Sequence, residues 1–289
     1  MSSLTASTKA LLTLLVLGSL TASAVACAPM PDANTPPSPG ETGGSDSTTE
    51  PITDNWEEAT IDEVLTPEVQ DRILQTVAIE VDRPATDLRI AAAETATFNG
   101  CMGIYEPDQV CTMIAIFGLR VVVTDGDQSW VYHTHQDGEA AVQNLTASGS
   151  RNGLIPDFIP ESGSDAEPDP EAHIFRSVES GGRGGYAQPT VLLEDGRLLQ
   201  KENGTVRAEA QLSPEELTAF QQVLEDQRFP NLHRMRYVTD AAFADYPTVR
   251  LSVRHLQTEY LDLAIDDAPE ALQAIVQAWE ALVTEAEWE

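Results

Sequence analysis

Leu119–Val123, Asp125-Gly126 and Trp130–Thr134 follow one another closely in sequence. A β-branched run, a two-residue turn signal and an aromatic run in that order read as an antiparallel hairpin. Any fold for this chain must be built around that hairpin. The residues before it supply a helix to cover one of its faces. Val69, Ile73, Val77 and Val81 recur every fourth residue, which puts them on one helix face, and Thr66-Pro67 starts that helix with proline at its first position. Just upstream, Thr60 with Glu63 has the spacing of a capping box. After Pro84 the pattern becomes strand-like from Leu88 to near Phe98. The expectation is a helix on a small antiparallel sheet over residues 58–146.

The second half has its own elements. His173–Val178 reads as a strand, and Val191–Leu193 and Leu198–Gln200 flank the turn Asp195-Gly196. Asn203-Gly204 is a further turn signal. Ser213-Pro214-Glu215-Glu216 is a capping box opening a helix with Leu217, Phe220 and Leu224 on one side. Val249, Leu251 and Val253 alternate, as do Leu261, Leu263 and Ile265, predicting two half-buried strands. A closing helix from about Pro269 carries Leu272, Ile275, Val276, Trp279 and Leu282. Strands, helix, strands, helix define an α+β class: two small domains, each an antiparallel sheet with one or two packed helices.

Residues 1–26 read as an address. A short polar stretch with Lys9 precedes the apolar run Ala10–Leu20 and then small residues, the three regions of a secretory signal. Ala24-Val25-Ala26 fits ordinary signal cleavage, and the same residues with Cys27 resemble a bacterial lipobox, in which the cysteine carries lipid. Cysteine parity bears on the choice. The chain has three cysteines, and lipid on Cys27 leaves Cys101 and Cys111 as a pair in an oxidising compartment. Their spacing is not C-x-x-C, so the expected bridge is structural. Residues 27–57 are rich in Pro, Gly, Ser and Thr and have almost nothing to bury, which predicts a disordered tether with a reach on the order of 30 Å. Residues 147–171 read as a second linker, leaving 172–289 as the second domain.

The net charge is −31. That repels phosphate backbones, so no nucleic-acid partner is expected. Nothing demands a cofactor or a metal. His133 and His135 share a strand face, but no third histidine lies near in sequence and no H-E-x-x-H occurs. Gly181, Gly182, Gly184 and Gly185 lack the Lys-Ser/Thr of a phosphate loop. They read as a tight or mobile turn, with partner contact through Gly181, Gly182 and Arg183 as the alternative. Arg228, His233, Arg234 and Arg236 form the one basic cluster, read either as local ion pairing or as a contact face involving Arg234 and Arg236. There is no G-x-S-x-G, and Lys201 is the sole lysine after Lys9, so serine and Schiff-base chemistry lack their parts. No catalytic residue is assigned, and the chain is expected not to be an enzyme.

Two resemblances add to this. Residues 66–145, with F-N-G-C-M-G-I-Y-E-P-D-Q-V-C followed by G-L-R-V-V-V-T-D-G-D-Q-S-W-V-Y-H-T, are similar to a segment of uncharacterised cyanobacterial lipoproteins. Most of 173–283 resembles the emfourin family of thermolysin-like metalloprotease inhibitors. The matching stretches are F-R-S-V-E-S-G-G-R-G-G, L-S-P-E-E-L and P-E-A-L-Q-A-I-V-Q-A-W-E-A-L. The first resemblance implies no activity; the second implies a protein partner, a protease. The combined expectation is an exported binding or accessory module, held at a membrane by lipid on Cys27 and facing the periplasm or the exterior. Protease inhibition through the C-terminal domain is the alternative, and an unrecognised envelope enzyme the second.

Overall fold

The computed structural model describes residues 61–160, 173–181, 187–239 and 246–289. The expected signal, Cys27 and the expected tether therefore lie outside the described residues, as do Thr60, Gly182 and Arg183. The fold is α+β.

The first sheet follows the sequence closely. Helices α1 (Ile61–Val64) and α2 (Pro67–Glu80) precede β1 (Arg89–Phe98), β2 (Ile116–Thr124), β3 (Ser129–His135) and β4 (Val142–Gln143). The order is β1-β2-β3-β4, antiparallel at each step. Thr66 caps α2 by accepting from the Val69 amide. The hairpin closes with Val123 opposite Trp130 and Thr124 opposite Ser129. Ile73 and Val77 of α2 are fully buried against Ile90, Leu119, Val121, Val123, Trp130 and Tyr132. Burying one such aliphatic side chain is worth roughly 1.5–3 kcal/mol.

The second sheet has eight strands in the order β5-β10-β12-β11-β6-β7-β8-β9. These are β5 (Asp157–Phe158), β6 (His173–Ser180), β7 (Gln188–Leu193), β8 (Arg197–Glu202), β9 (Thr205–Gln211), β10 (Met235–Tyr237), β11 (Thr248–Val253) and β12 (Leu256–Leu261). Only β10 and β12 run parallel; the other neighbours are antiparallel. Helices α3 (Pro214–Asp226) and α4 (Glu270–Glu285) pack on this sheet. The capping box is present: Ser213 Oγ accepts from the Glu216 amide, and the Glu216 carboxylate accepts from the Ser213 amide. Asn203 and Gly204 both take positive φ in the β8–β9 turn, as a type I′ turn requires. Phe175, Phe220 and Trp279 meet at the centre of the core.

Two expectations are corrected. The strand expected over Leu261–Ile265 lies earlier, at Leu256–Leu261, and Asp262–Asp267 is a 3-10 turn. Arg254 takes a positive φ and Val253 pairs with Leu256, so the chain reverses at once and β12 begins there. Leu263 is consequently 61% exposed. The second correction concerns the linker. From Ala147 to Ile159 the chain is part of the core: Ala147, Leu154, Phe158 and Ile159 are buried, and β5 forms an edge of the second sheet. A polar segment can be buried when its side chains satisfy nearby backbone. Here Ser148 Oγ accepts from the Val131 amide and donates to the Asn144 carbonyl, while Asn144 Oδ1 accepts from the Ala147 amide. Ala92, Val122 and Val131 of the first sheet join the same hydrophobic cluster as Phe158 and Phe175. Both sheets belong to one unit, Asn55–Glu289, with α2 on one face of the first sheet and the second half on the other.

Candidate functional site

The face of the first sheet turned toward the second half changes character along the strands. Ala92, Val122 and Val131 are apolar and join the shared core. Two residues along, the register sets Glu94 opposite Arg120, and Arg120 opposite His133. A carboxylate, a guanidinium and an imidazole thus form one row across three strands. The next row is small on two strands, with Ala96 opposite Gly118. The result is a cleft of about 260 Å³, just under the range of roughly 300–1,000 Å³ usual for sites that hold drug-sized ligands. One wall is β1 from Glu94 to Phe98; the other is Pro230, Asn231, His233 and Arg234.

Glu94 holds both arginines. One carboxylate oxygen accepts from Arg120 at 2.9 Å and the other from Arg234 at 2.7 Å. The three side chains are 17%, 9% and 17% exposed for Glu94, Arg120 and Arg234. Arg120 also donates to the His233 carbonyl at 2.9 Å and lies 4.7 Å over the Phe158 ring. Arg234 donates to the Ile159 carbonyl at 2.9 Å. Glu94, Arg120 and Arg234 thus gather into one part-buried ionic cluster in the wall of the cleft.

Both histidines beside this triad are neutral at physiological pH. His133 is 4% exposed, and burial, then the Arg120 charge, push it down to about 4. Its Nδ1 lies 2.7 Å from the Met102 carbonyl. A carbonyl only accepts, so the ring proton is on Nδ1. His233 is likewise lowered to about 4, first by burial, then by Arg120, Arg234 and His255. Its Nδ1 accepts from the Gln257 amide at 3.2 Å, which places the proton of the neutral ring on Nε2.

The disulfide loop shapes the floor. Cys101 and Cys111 are bridged. Met102 and Gly103 both take positive φ, which turns the Met102 carbonyl onto His133. Asn99 Oδ1 accepts from the Cys101 and Gly103 amides. Phe98 stacks on His133 at 4.9 Å and 7°. A Cβ on Gly103 would come within 2.6 Å of Phe98, and one on Gly118 within 2.7 Å of it, so both positions must be glycine for the stack to form. Asn231 fastens the loop to the second half, exchanging two hydrogen bonds with the Tyr105 backbone.

β1 is the free edge of its sheet. The Gln136 amide donates to the Phe117 carbonyl and the Asp125 amide to the Gln128 carbonyl. Odd-numbered residues of β2 therefore bond toward β3 and even-numbered ones toward β1, because a strand residue sends both backbone groups to one side. Glu94 and Ala96, opposite Arg120 and Gly118, bond inward. Thr95 and Thr97 point their N–H and C=O groups out of the sheet. Among the described residues, no backbone hydrogen bond beyond the sheet reaches either of them.

The residues singled out from sequence fall as follows. His133 and His135 share a face, but His133 is committed to Met102 and Phe98, and no group of metal-ligating residues occurs among the described residues. Arg234 is tied to Glu94, Arg236 sits 3.8 Å from Glu259, and Arg228 pairs with Glu106 at 2.6 Å. Local ion pairing describes the basic cluster. Arg234 and Arg236 both have an acidic partner within the chain. Gly181 ends β6 with φ +95; Gly182 and Arg183 lie outside the described residues. Glu94, Arg120 and the β1 edge escaped the sequence reading. A charged pair on adjacent strands shows only when the register is known.

A family described as a domain of unknown function, DUF8738, matches residues 70–143. The match runs from α2 to β4 and so contains Glu94, Arg120, His133 and both bridged cysteines. No curated protein and no solved structure matches the chain.

Proposed function

We propose that this chain is an exported, non-enzymatic binding module, held at a membrane by lipid on Cys27, and that its contact site is the cleft along β1. The observation that carries the reading is the pairing of a free strand edge with an Arg-rich, sequestered wall. Thr95 and Thr97 present backbone groups that no described residue bonds, beside Arg120, Arg234 and His233. Export is supported by residues 1–26 and by the disulfide, a bond kept in oxidising compartments. The tether of 27–57 supports a module displayed at some distance from its anchor.

The contact site is tested by placing a photo-crosslinking amino acid at Thr95 in intact cells, with Glu215 on α3 as the control position. The reading expects an adduct from Thr95 and none from Glu215. An absence of adducts at Thr95, or equal adducts at both positions, would sink it.

A further inference from the structure

We infer that the tip of the disulfide loop, with Val110, Met113, Ile114 and Phe117, rests in the interface of a neutral lipid bilayer. The inference rests on the proposed lipid at Cys27 and names the surface by which the folded chain meets the membrane.

Between residues 110 and 117 these four large apolar side chains are 95%, 95%, 57% and 69% exposed. Single apolar side chains at a surface are ordinary, whereas a group of them marks a contact with protein or lipid. The backbone holds this group out: Cys111 is bridged to Cys101, and the Gly100 amide donates to the Thr112 carbonyl. Phe117 follows on β2, where its carbonyl accepts from the Gln136 amide.

The place where the chain enters the fold chooses lipid as the occupant. Arg72 of α2 donates to the Asp137 carbonyl at 2.7 Å, and a Cβ on Gly138 would lie 3.2 Å from Val69 Cγ1. The first turns of α2 thus sit beside residues 136–138, at the same end of the sheet as Phe117. Ile61, the first described residue, lies one short helix before them, and Asp62 accepts from the Gln70 side chain at 3.1 Å. The expected tether therefore joins at the end that carries the apolar group. A lipid on Cys27, with a tether reach on the order of 30 Å, keeps that end near the bilayer. Confinement of this kind lets a weak contact persist. The net charge of −31 selects neutral over anionic lipid.

The test uses the full chain purified from membranes and reconstituted in phosphatidylcholine vesicles. A photo-crosslinking amino acid replaces Met113, or Val206 on β9 at the far edge of the second sheet as the control. Adducts are identified by mass spectrometry. The inference expects lipid adducts at Met113 and none at Val206. Phe117→Ser, at an exposed position, should reduce the Met113 adduct several-fold, and so should vesicles rich in phosphatidylserine at low salt. Equal lipid adducts at both positions, or none at Met113 while the chain stays on the vesicles, overturn the inference and leave the anchor standing. A Met113 adduct to a second chain would make another copy the occupant, and the inference wrong. A wild-type chain that fractionates away from membranes removes the anchor, and this inference with it.

Discussion

The imidazole of His133 donates from Nδ1 to the Met102 carbonyl at 2.7 Å, across 31 residues of sequence. The bond joins the disulfide loop to the central hairpin and fixes the tautomer of a buried ring. It also sets how the protein should respond to acid.

Burial and Arg120 hold His133 at about 4 in the folded chain, against about 6.5 unfolded. Between those values the unfolded chain binds a proton that the folded chain does not, so stability falls as pH drops from about 6.5 to about 4. Above 6.5 this group contributes no pH dependence. The effect of His133 alone is on the order of 3 kcal/mol across the window. Urea unfolding of wild type and His133→Gln at several pH values measures it. The wild-type curve should lose more stability over the window, and parallel curves would contradict the assignment.

Glu94 bridges two guanidiniums, one on each carboxylate oxygen. Glu94→Gln should destabilise by on the order of 3 kcal/mol, the scale of a buried ion pair deprived of one partner. The loss should exceed that of Glu106→Gln, whose Arg228 pair is about 40% exposed on each side and worth at most about 1 kcal/mol. Chemical denaturation of the two variants decides between them.

Gly118→Ala tests the seat of Phe98. The added Cβ would lie 2.2 Å from the Thr134 carbonyl and 2.7 Å from the Phe98 ring. One of them must move, and the cost of such overpacking is roughly 1–3 kcal/mol. If Phe98 gives way, the His133 stack opens, which would appear as a changed His133 ring resonance in NMR. An unaltered resonance with full stability would refute this account of the floor.

Replacing Cys101 and Cys111 by serine should cost about 2.5–3 kcal/mol for a loop of sequence separation 10. It should also loosen Met102, so that the His133 resonance shifts together with stability. Asn231 still holds Tyr105, which predicts that the fold survives and the floor does not.

Much of this architecture is readable from local pattern. The α2 stripe, the β2–β3 hairpin, the Ser213 box and the α4 face all show their periods or caps within a few residues. The errors come where distant partners decide. Leu154 and Phe158 sit among prolines and polar residues and read as linker until Val131 and Asn144 arrive to satisfy Ser148 and Ala147. Leu263 alternates with Leu261 as a strand residue would, yet the reversal at Arg254 had already set the ladder. The cleft was the least legible part. Glu94, Arg120, His133 and Arg234 are scattered over 140 residues, and only the strand register makes them neighbours. The basic cluster was visible, but which acid it served was not.

The proposed function depends on where the chain resides, because a structural disulfide is kept in oxidising compartments and the proposed lipid on Cys27 would place the chain at a membrane. The direct measurement is fractionation of cells expressing the wild-type chain or Cys27→Ser. Wild type should sediment with membranes, and Cys27→Ser should move to the soluble fraction outside the cytoplasm with its Cys101–Cys111 bridge intact. Cys27→Ser that stays with the membranes, or a wild type found soluble in the cytoplasm with free thiols, would contradict it.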